Sequence, residues 1–131
     1  MIVLDTHALV WWVSADPQLS RPARKAIEAQ REGGEILISA ISAWEVAMLV
    51  KAGRLTLTID VAAWLDTVAR IPGVCFVPVD VRLSLLSVDL PGAFHKDPAD
   101  RLIVATARHY SAPLVTADLK IRHYSHVHTI W

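Results

Sequence analysis

The sequence predicts an α/β fold: one domain over residues 1–131, built on a central parallel sheet of about five strands flanked by helices. Three observations predict it. Short unbroken apolar runs recur along the chain, the pattern of strands buried on both faces. Stretches of helical spacing lie between them, and strand–helix alternation builds a parallel sheet covered by helices. Acidic residues stand just beyond several of the runs, where such sheets form their ligand crevice.

Taken in order, Ile2-Val-Leu4 is the first strand and ends at Asp5; residues 6–13 then form a short apolar helix, closed by the turn at Ala15-Asp-Pro17. Ser20 with Pro22 opens a helix that runs to about Arg31 and stops at Gly33-Gly34. Ile36-Leu-Ile38 is the second buried strand. Helical spacing resumes at Ser42, where Ser42-Ala-Trp-Glu45 fits a capping box, and Gly53 ends that helix. Asp60 caps a helix over residues 61–71, closed by Pro72-Gly73. Val74-Cys-Phe-Val77 is the third strand, and Asp80 caps a short helix over residues 81–87. A loop over residues 90–94 delivers the chain to the segment around which the rest is organised, residues 95–109. There Asp97 takes the N-cap and Pro98 the first helical position, where a missing N–H costs nothing. Asp100 falls in the first turn, facing the positive end of the helix dipole. The apolar stretch at residues 102–107 requires this helix to be buried on most sides. Leu114-Val-Thr116 is the fourth strand and residues 127–130 are a fifth.

Composition narrows the function classes. A chain of 131 residues that is 53% hydrophobic can bury a full core, and its excess, Trp11, Trp12, Trp44 and Trp64 included, predicts surface hidden against a partner or a second copy. No run reaches the ~18 uninterrupted apolar residues of a membrane span; the longest, residues 36–50, is broken by Glu45 and serines. Residues 1–13 lack the basic start and cleavage site of a signal peptide, so a cytoplasmic protein is expected. The single Cys75 excludes an internal disulfide and is expected to be a buried core thiol. Thirteen acids balance thirteen Lys and Arg, whereas nucleic-acid-binding chains are usually basic. The cations cluster locally, with Lys51 near Arg54 and Lys120 near Arg122.

Four acids fall at one edge of the predicted sheet: Asp5 after the first strand, Glu45 after the second, Asp100 at the mouth of the central helix and Asp118 after the fourth. Each has a local explanation as a cap or first-turn acid. Together they need more, because two like charges ~4 Å apart repel by roughly 4 kcal/mol at an effective dielectric of 20. A divalent cation offsets that repulsion, and an all-oxygen ligand set suits Mg²⁺ or Mn²⁺. No cysteine pair, and no histidine pair near these acids, supports zinc. His126-Val-His128 reads as a solvated terminal strand.

Val3-Leu-Asp-Thr-His7, Ile41-Ser-Ala-Trp-Glu-Val46 with Gly53-Arg-Leu55, His95-Lys-Asp-Pro-Ala-Asp-Arg101 and Thr116-Ala-Asp118 together resemble the PIN-domain ribonucleases. The likeness is greatest to the VapC toxins of bacterial and archaeal toxin–antitoxin modules, and it spans essentially the whole chain in order. It implies a five-stranded parallel sheet, an acidic pocket for Mg²⁺ or Mn²⁺ at the strand C-terminal edge, and endonucleolytic cleavage of RNA. Its acidic quartet lands on Asp5, Glu45, Asp100 and Asp118, with Asp5 and Asp100 expected as direct metal ligands. Thr116 matches the small hydroxyl residue beside the last acid, and Asp97 supports the helix mouth. Expected partners are the RNA, a small cognate antitoxin and a second copy of the chain, with no membrane. Arg101, Lys51, Arg54 and Lys120 are candidate RNA contacts, Arg101 being equally readable as a structural ion-pair partner. The alternative is a PIN-like module that binds RNA or protein without cutting. A haloacid-dehalogenase-type phosphatase needs a second Asp where His7 stands, and a receiver domain needs paired acids and a lysine that are missing.

Overall fold

The computed structural model describes residues 1–131. Its strands are β1 (Ile2–Leu4), β2 (Ile36–Ser39), β3 (Val74–Val77), β4 (Leu114–Val115) and β5 (Thr129–Ile130). They form one parallel sheet in the order β3-β2-β1-β4-β5. Val3 pairs with Leu37 on one side and Leu114 on the other, so β1 is central. The chain builds outward from β1 to β3, then returns to place β4 on the far side of β1. That reversal of direction opens a crevice beyond the carboxyl ends of β1 and β4.

Seven helices cover the sheet: α1 (Thr6–Val13), α2 (Arg21–Glu28), α3 (Ala40–Lys51), α4 (Val61–Ala69), α5 (Val81–Val88), α6 (Pro98–His109) and α7 (Leu119–Arg122). Successive strand residues point to opposite faces, and the core divides accordingly. Leu4, Leu9, Ile27, Ile38 and Val46 pack on one face; Val3, Leu37, Ile103, Val104, Leu114 and Ile121 pack on the other. Helix α6 is the buried helix that residues 98–109 predict, with Ala99 and residues 103–107 all buried. Burial of a side chain such as Ile103 stabilises the fold by roughly 1.5–3 kcal/mol. Its start is as the sequence reads: Asp97 is the N-cap and accepts from the Asp100 N–H at 3.0 Å, with Pro98 next.

Four readings need correction. Helix α3 begins at Ala40 with Ser39 as its cap, so the capping box at Ser42 does not form and Glu45 lies in the second turn. Ser42 is instead fully buried, its hydroxyl 2.9 Å from that of Thr6. A tertiary partner outcompeted the local cap. Cys75 is exposed rather than buried, because β3 pairs only with β2 and is an edge strand of uneven burial. Helix α2 stops at Glu28, short of Arg31, and a turn carries the chain to Gly33, where φ is +79°. The tryptophans divide: Trp12 and Trp64 are core residues, Trp11 is half-buried, and Trp44 is 57% exposed.

Candidate active site

Asp5 and Asp118 are positioned as helix caps, Glu45 by a hydrogen bond from a distant part of the chain, and Asp100 by its place at the start of α6. Asp5 caps α1, Oδ1 accepting from the Ala8 N–H at 2.8 Å, while Oδ2 accepts from the Thr116 hydroxyl. The Asp5 N–H donates to the Val115 carbonyl at 3.1 Å, so the residue is pinned between β1 and β4. Asp118 caps α7, its Oδ1 accepting from the N–H groups of Lys120 (2.8 Å) and Ile121 (3.2 Å). The Asp118 N–H donates to Thr116 Oγ1 at 3.0 Å. The Thr116 hydroxyl thus joins Asp5 to Asp118. Glu45 projects from α3, and its carboxylate accepts from the Thr6 hydroxyl at 2.5 Å. Asp100 stands in the first turn of α6.

One cleft of about 410 Å³ is lined by Asp5, Glu45, Asp97, Asp100 and Asp118, with His7 and Trp11 at its side. The four acids read from strand ends therefore do meet. Their mutual influence shows in ionisation. Burial, followed by the charges of Asp97, Asp118, Glu45 and Asp5, pushes the Asp100 carboxyl up to about 7. Asp5 is also raised, by burial, against the lowering effect of its bonds from Thr116 and Ala8 and of nearby His7. A cleft that holds Asp100 and Asp5 this reluctantly as anions is one that favours a cation.

No three carboxylates close on a single point as ready-made ligands. Glu45 bonds through Oε1 and Asp118 through Oδ1, which leaves the second oxygen of each without a bond inside the chain. That set fits a hard, strongly hydrated ion: Mg²⁺ keeps several waters and takes only one or two carboxylates directly. The fit lies in donor chemistry and charge, not in a tight protein cage.

Several side chains at the site were not singled out by sequence reasoning. His95 Nε2 is buried 3.0 Å from Asp100 Oδ2 with no aligned hydrogen-bond partner. Thr6, Ser42, His7 and Trp11 are the others. His95 and Thr6 sit inside the very motifs that carry the acids, which was the available signal. Among the candidate RNA contacts, Arg101 does not serve. Its guanidinium donates to the carbonyls of Ser87 (2.8 Å), Phe94 (3.0 Å), His95 (3.1 Å) and Val88 (3.2 Å), so it is structural. It pairs with carbonyls rather than with an acid. Lys51, Arg54 and Lys120 are exposed, and Arg54 lines a groove beside Glu45.

A parallel sheet whose point of reversal gathers four carboxylates from four separate elements defines an acidic-crevice α/β protein. Within that class the chain belongs to the PIN domain family, whose pattern matches residues 2–127. It is 40% identical to Ribonuclease VapC22 of Mycobacterium tuberculosis (strain ATCC 25618 / H37Rv) over 133 aligned positions, covering 99% of this chain and 98% of that protein. The fold is also that of solved structures at lower identity. VapBC2 from Rickettsia felis, bound to a DNA fragment from its promoter, aligns with a TM-score of 0.70 at 18% identity over 98% of this chain and 97% of that one. A toxin–antitoxin complex from Klebsiella pneumoniae aligns at 0.64 and 21% identity, over 97% of this chain and 95% of that one. No helix is long and apolar enough to cross a membrane.

Proposed function

We propose that residues 1–131 act as a single unit, a Mg²⁺- or Mn²⁺-dependent endoribonuclease and the cytoplasmic toxin of a toxin–antitoxin pair. The observation that carries this is the shared cleft of Asp5, Glu45, Asp100 and Asp118, in a chain similar over its whole length to a ribonuclease. Asp5 and Asp100 are the direct metal ligands in this reading, with Glu45 and Asp118 ligating through water or orienting the nucleophile. When bound, the ion supplies charge stabilisation at the scissile phosphate and a water of lowered pKa. The chain does the rest. Thr116 holds Asp5 and Asp118 in fixed relative orientation, and Thr6, itself packed on Ser42, does the same for Glu45. Such bonds fix the carboxylates before substrate arrives, which spares reorganisation during reaction. Lys51, Arg54 and Lys120 supply the exposed cations that meet RNA phosphates. The test is cleavage of single-stranded RNA with Mn²⁺, with Mg²⁺ and with EDTA; activity that ignores EDTA overturns the metal dependence, and no cleavage under any condition favours the non-cutting alternative.

The same reading includes two protein partners. Similarity to chains solved in toxin–antitoxin complexes supports a small antitoxin. A short adjacent reading frame with a DNA-binding segment, co-purifying with this chain, is the expected finding. A second copy is supported by α5, where Val81, Leu85 and Val88 form an exposed apolar stripe, at 77%, 64% and 73% exposure. Light scattering of the free protein at micromolar concentration should give twice the chain mass, and Leu85→Glu should return it to a monomer.

A further inference from the structure

Beside the acidic cleft lies a second groove, of about 350 Å³, running between the start of α1 and the outer face of α3. Thr6, His7 and Glu45 line both, so the two adjoin as one trench. The second groove is lined also by Trp44 and Met48, 57% and 48% exposed, and by Arg54. Trp44 precedes Glu45 on α3 and is the most exposed tryptophan of the chain. Such a ring loses contact with water only if something covers it. Trp11 lines the acidic cleft, and its ring lies 5.6 Å from that of His7, which lines both. The trench therefore carries the acids and Trp11 in one part and Trp44, Met48 and Arg54 in the other.

We propose that the Trp44–Arg54 groove is a nucleobase subsite: an unpaired base next to the scissile phosphate stacks on the Trp44 indole while Arg54 meets a neighbouring phosphate. The inference rests on the ribonuclease reading and extends it, by stating which form of RNA is taken and what holds it. Three features favour a nucleotide strand as the occupant. The groove shares three lining residues with the cleft that would hold the phosphate. Its chemistry, an aromatic face beside a guanidinium, is that of single-strand binding platforms, where each base offers a π-face and the backbone a charge. Apart from Glu45, shared with the cleft, the groove lining carries no acid to repel phosphate. Stacking on Trp44 requires the base to leave its helix, so paired RNA is excluded from the trench. A stacking wall also accepts any base, so Trp44 contributes affinity and register more than sequence choice.

The experiment uses the full chain and a fluorescein-labelled, unstructured RNA oligonucleotide, with the same oligonucleotide annealed to its complement as the duplex probe. Cleavage kinetics are measured with Mn²⁺, and binding is measured by anisotropy in EDTA. Trp44→Ala should weaken single-strand binding by about 5- to 160-fold, the range lost with one base–aromatic stack, and raise KM far more than it lowers kcat. Trp44→Phe should recover most of this, and Arg54→Ala should reduce the salt dependence of binding by about one phosphate contact. Thermal melting of each variant establishes that it is folded. The duplex should bind the wild type poorly. A folded Trp44→Ala with KM and binding within twofold of wild type overturns the subsite, as does a duplex that binds as well as the single strand. Retained RNA binding with loss of a co-purifying protein also overturns it, and assigns the face to a protein. If the wild type itself neither binds nor cuts RNA, it is the ribonuclease reading that fails.

Discussion

Helices α5 and α6 begin alike and end up with opposite roles. Each follows a loop, each has an aspartate N-cap, and each cap accepts from the N–H three residues on: Asp80 from Leu83 at 2.8 Å, Asp97 from Asp100 at 3.0 Å. The side chain at that third position separates them. Leu83 is 2% exposed and packs in the core, leaving Val81, Leu85 and Val88 on an outward apolar stripe. Asp100 instead turns a carboxylate toward three other elements, and its helix is buried at Ala99 and over residues 103–107. A capping acid satisfies its own helix wherever it occurs. A site arises only where the next acid along also faces the reversal of the sheet.

The sharpest way to break that contrast is to remove the acids α5 lacks. Asp100→Asn or Asp5→Asn should cut metal-dependent RNA cleavage by about 100-fold or more, since even outer-shell changes at metal sites cost ~10–100-fold. Both variants should fold, and undiminished cleavage by both would sink the assignment. Mg²⁺ or Mn²⁺ should raise the melting temperature of the wild type at pH 8, because a ligand that binds only the folded state stabilises it. That rise should be smaller in Asp100→Asn.

A second effect lies in pH. The Asp100 carboxyl titrates at about 7 in the folded chain, against ~3.9 for an unperturbed aspartate. Below pH ~4 both states hold the proton. Between pH ~4 and 7 the unfolded chain has released it while the folded chain retains it, so stability falls as pH rises through this window. Melting curves of the metal-free protein should show that decline, and Asp100→Asn should flatten it. Asp97→Ser, which removes a charge that raises Asp100, should flatten it in part. A decline as steep in Asp100→Asn as in the wild type would assign it to other groups.

The smallest expected effects concern the caps themselves. Asp80→Ala and Asp97→Ala should each cost ~1 kcal/mol, the usual loss for an N-cap, read as denaturant midpoints. Only Asp97→Ala should also slow cleavage, by loosening the mouth of α6. Asp97→Ser still caps and should recover most of both properties, whereas Asp100→Ser should stay folded and inactive. If Asp97→Ser is well folded and as inactive as Asp100→Ser, Asp97 is part of the catalytic set.

What was legible in the sequence follows the range of the forces involved. The Asp97–Pro98 start, the Asp60 and Asp80 caps and the strand cores depend on neighbours in the chain, and these the residues declare. The start of α3 was misread because Ser39 and Ser42 offer equal local chemistry. The choice between them is made by Thr6, thirty-six residues away from Ser42. Cys75 was misread for a related reason: an apolar run states that a strand is apolar, not whether it has one neighbour or two. Asp5, Glu45 and Asp118 converged as expected because positions after strands translate directly into one edge of a parallel sheet, and Asp100 joined them from the N-terminal turn of α6. The pairing of His95 with Asp100 and the clamp made by Arg101 depend on loop geometry that no periodicity encodes.

That clamp has a further consequence. Between α5 and α6 the backbone N–H groups of residues 90–97 donate no hydrogen bond within the chain. The segment is held by its carbonyls, by the Arg101 fork on Phe94 and His95 and by the Tyr124 hydroxyl on Pro91. Solvent exchange of amide hydrogens reports on donors, so these amides are left unprotected by bonding even though the loop is tied at three points. Rapid exchange here marks a segment fastened from its acceptor side, and stiffness and protection part company. A lysine in place of Arg101 has one ammonium where a planar fork now reaches four carbonyls, so the loop that sets the mouth of α6 would be freed with no change in charge.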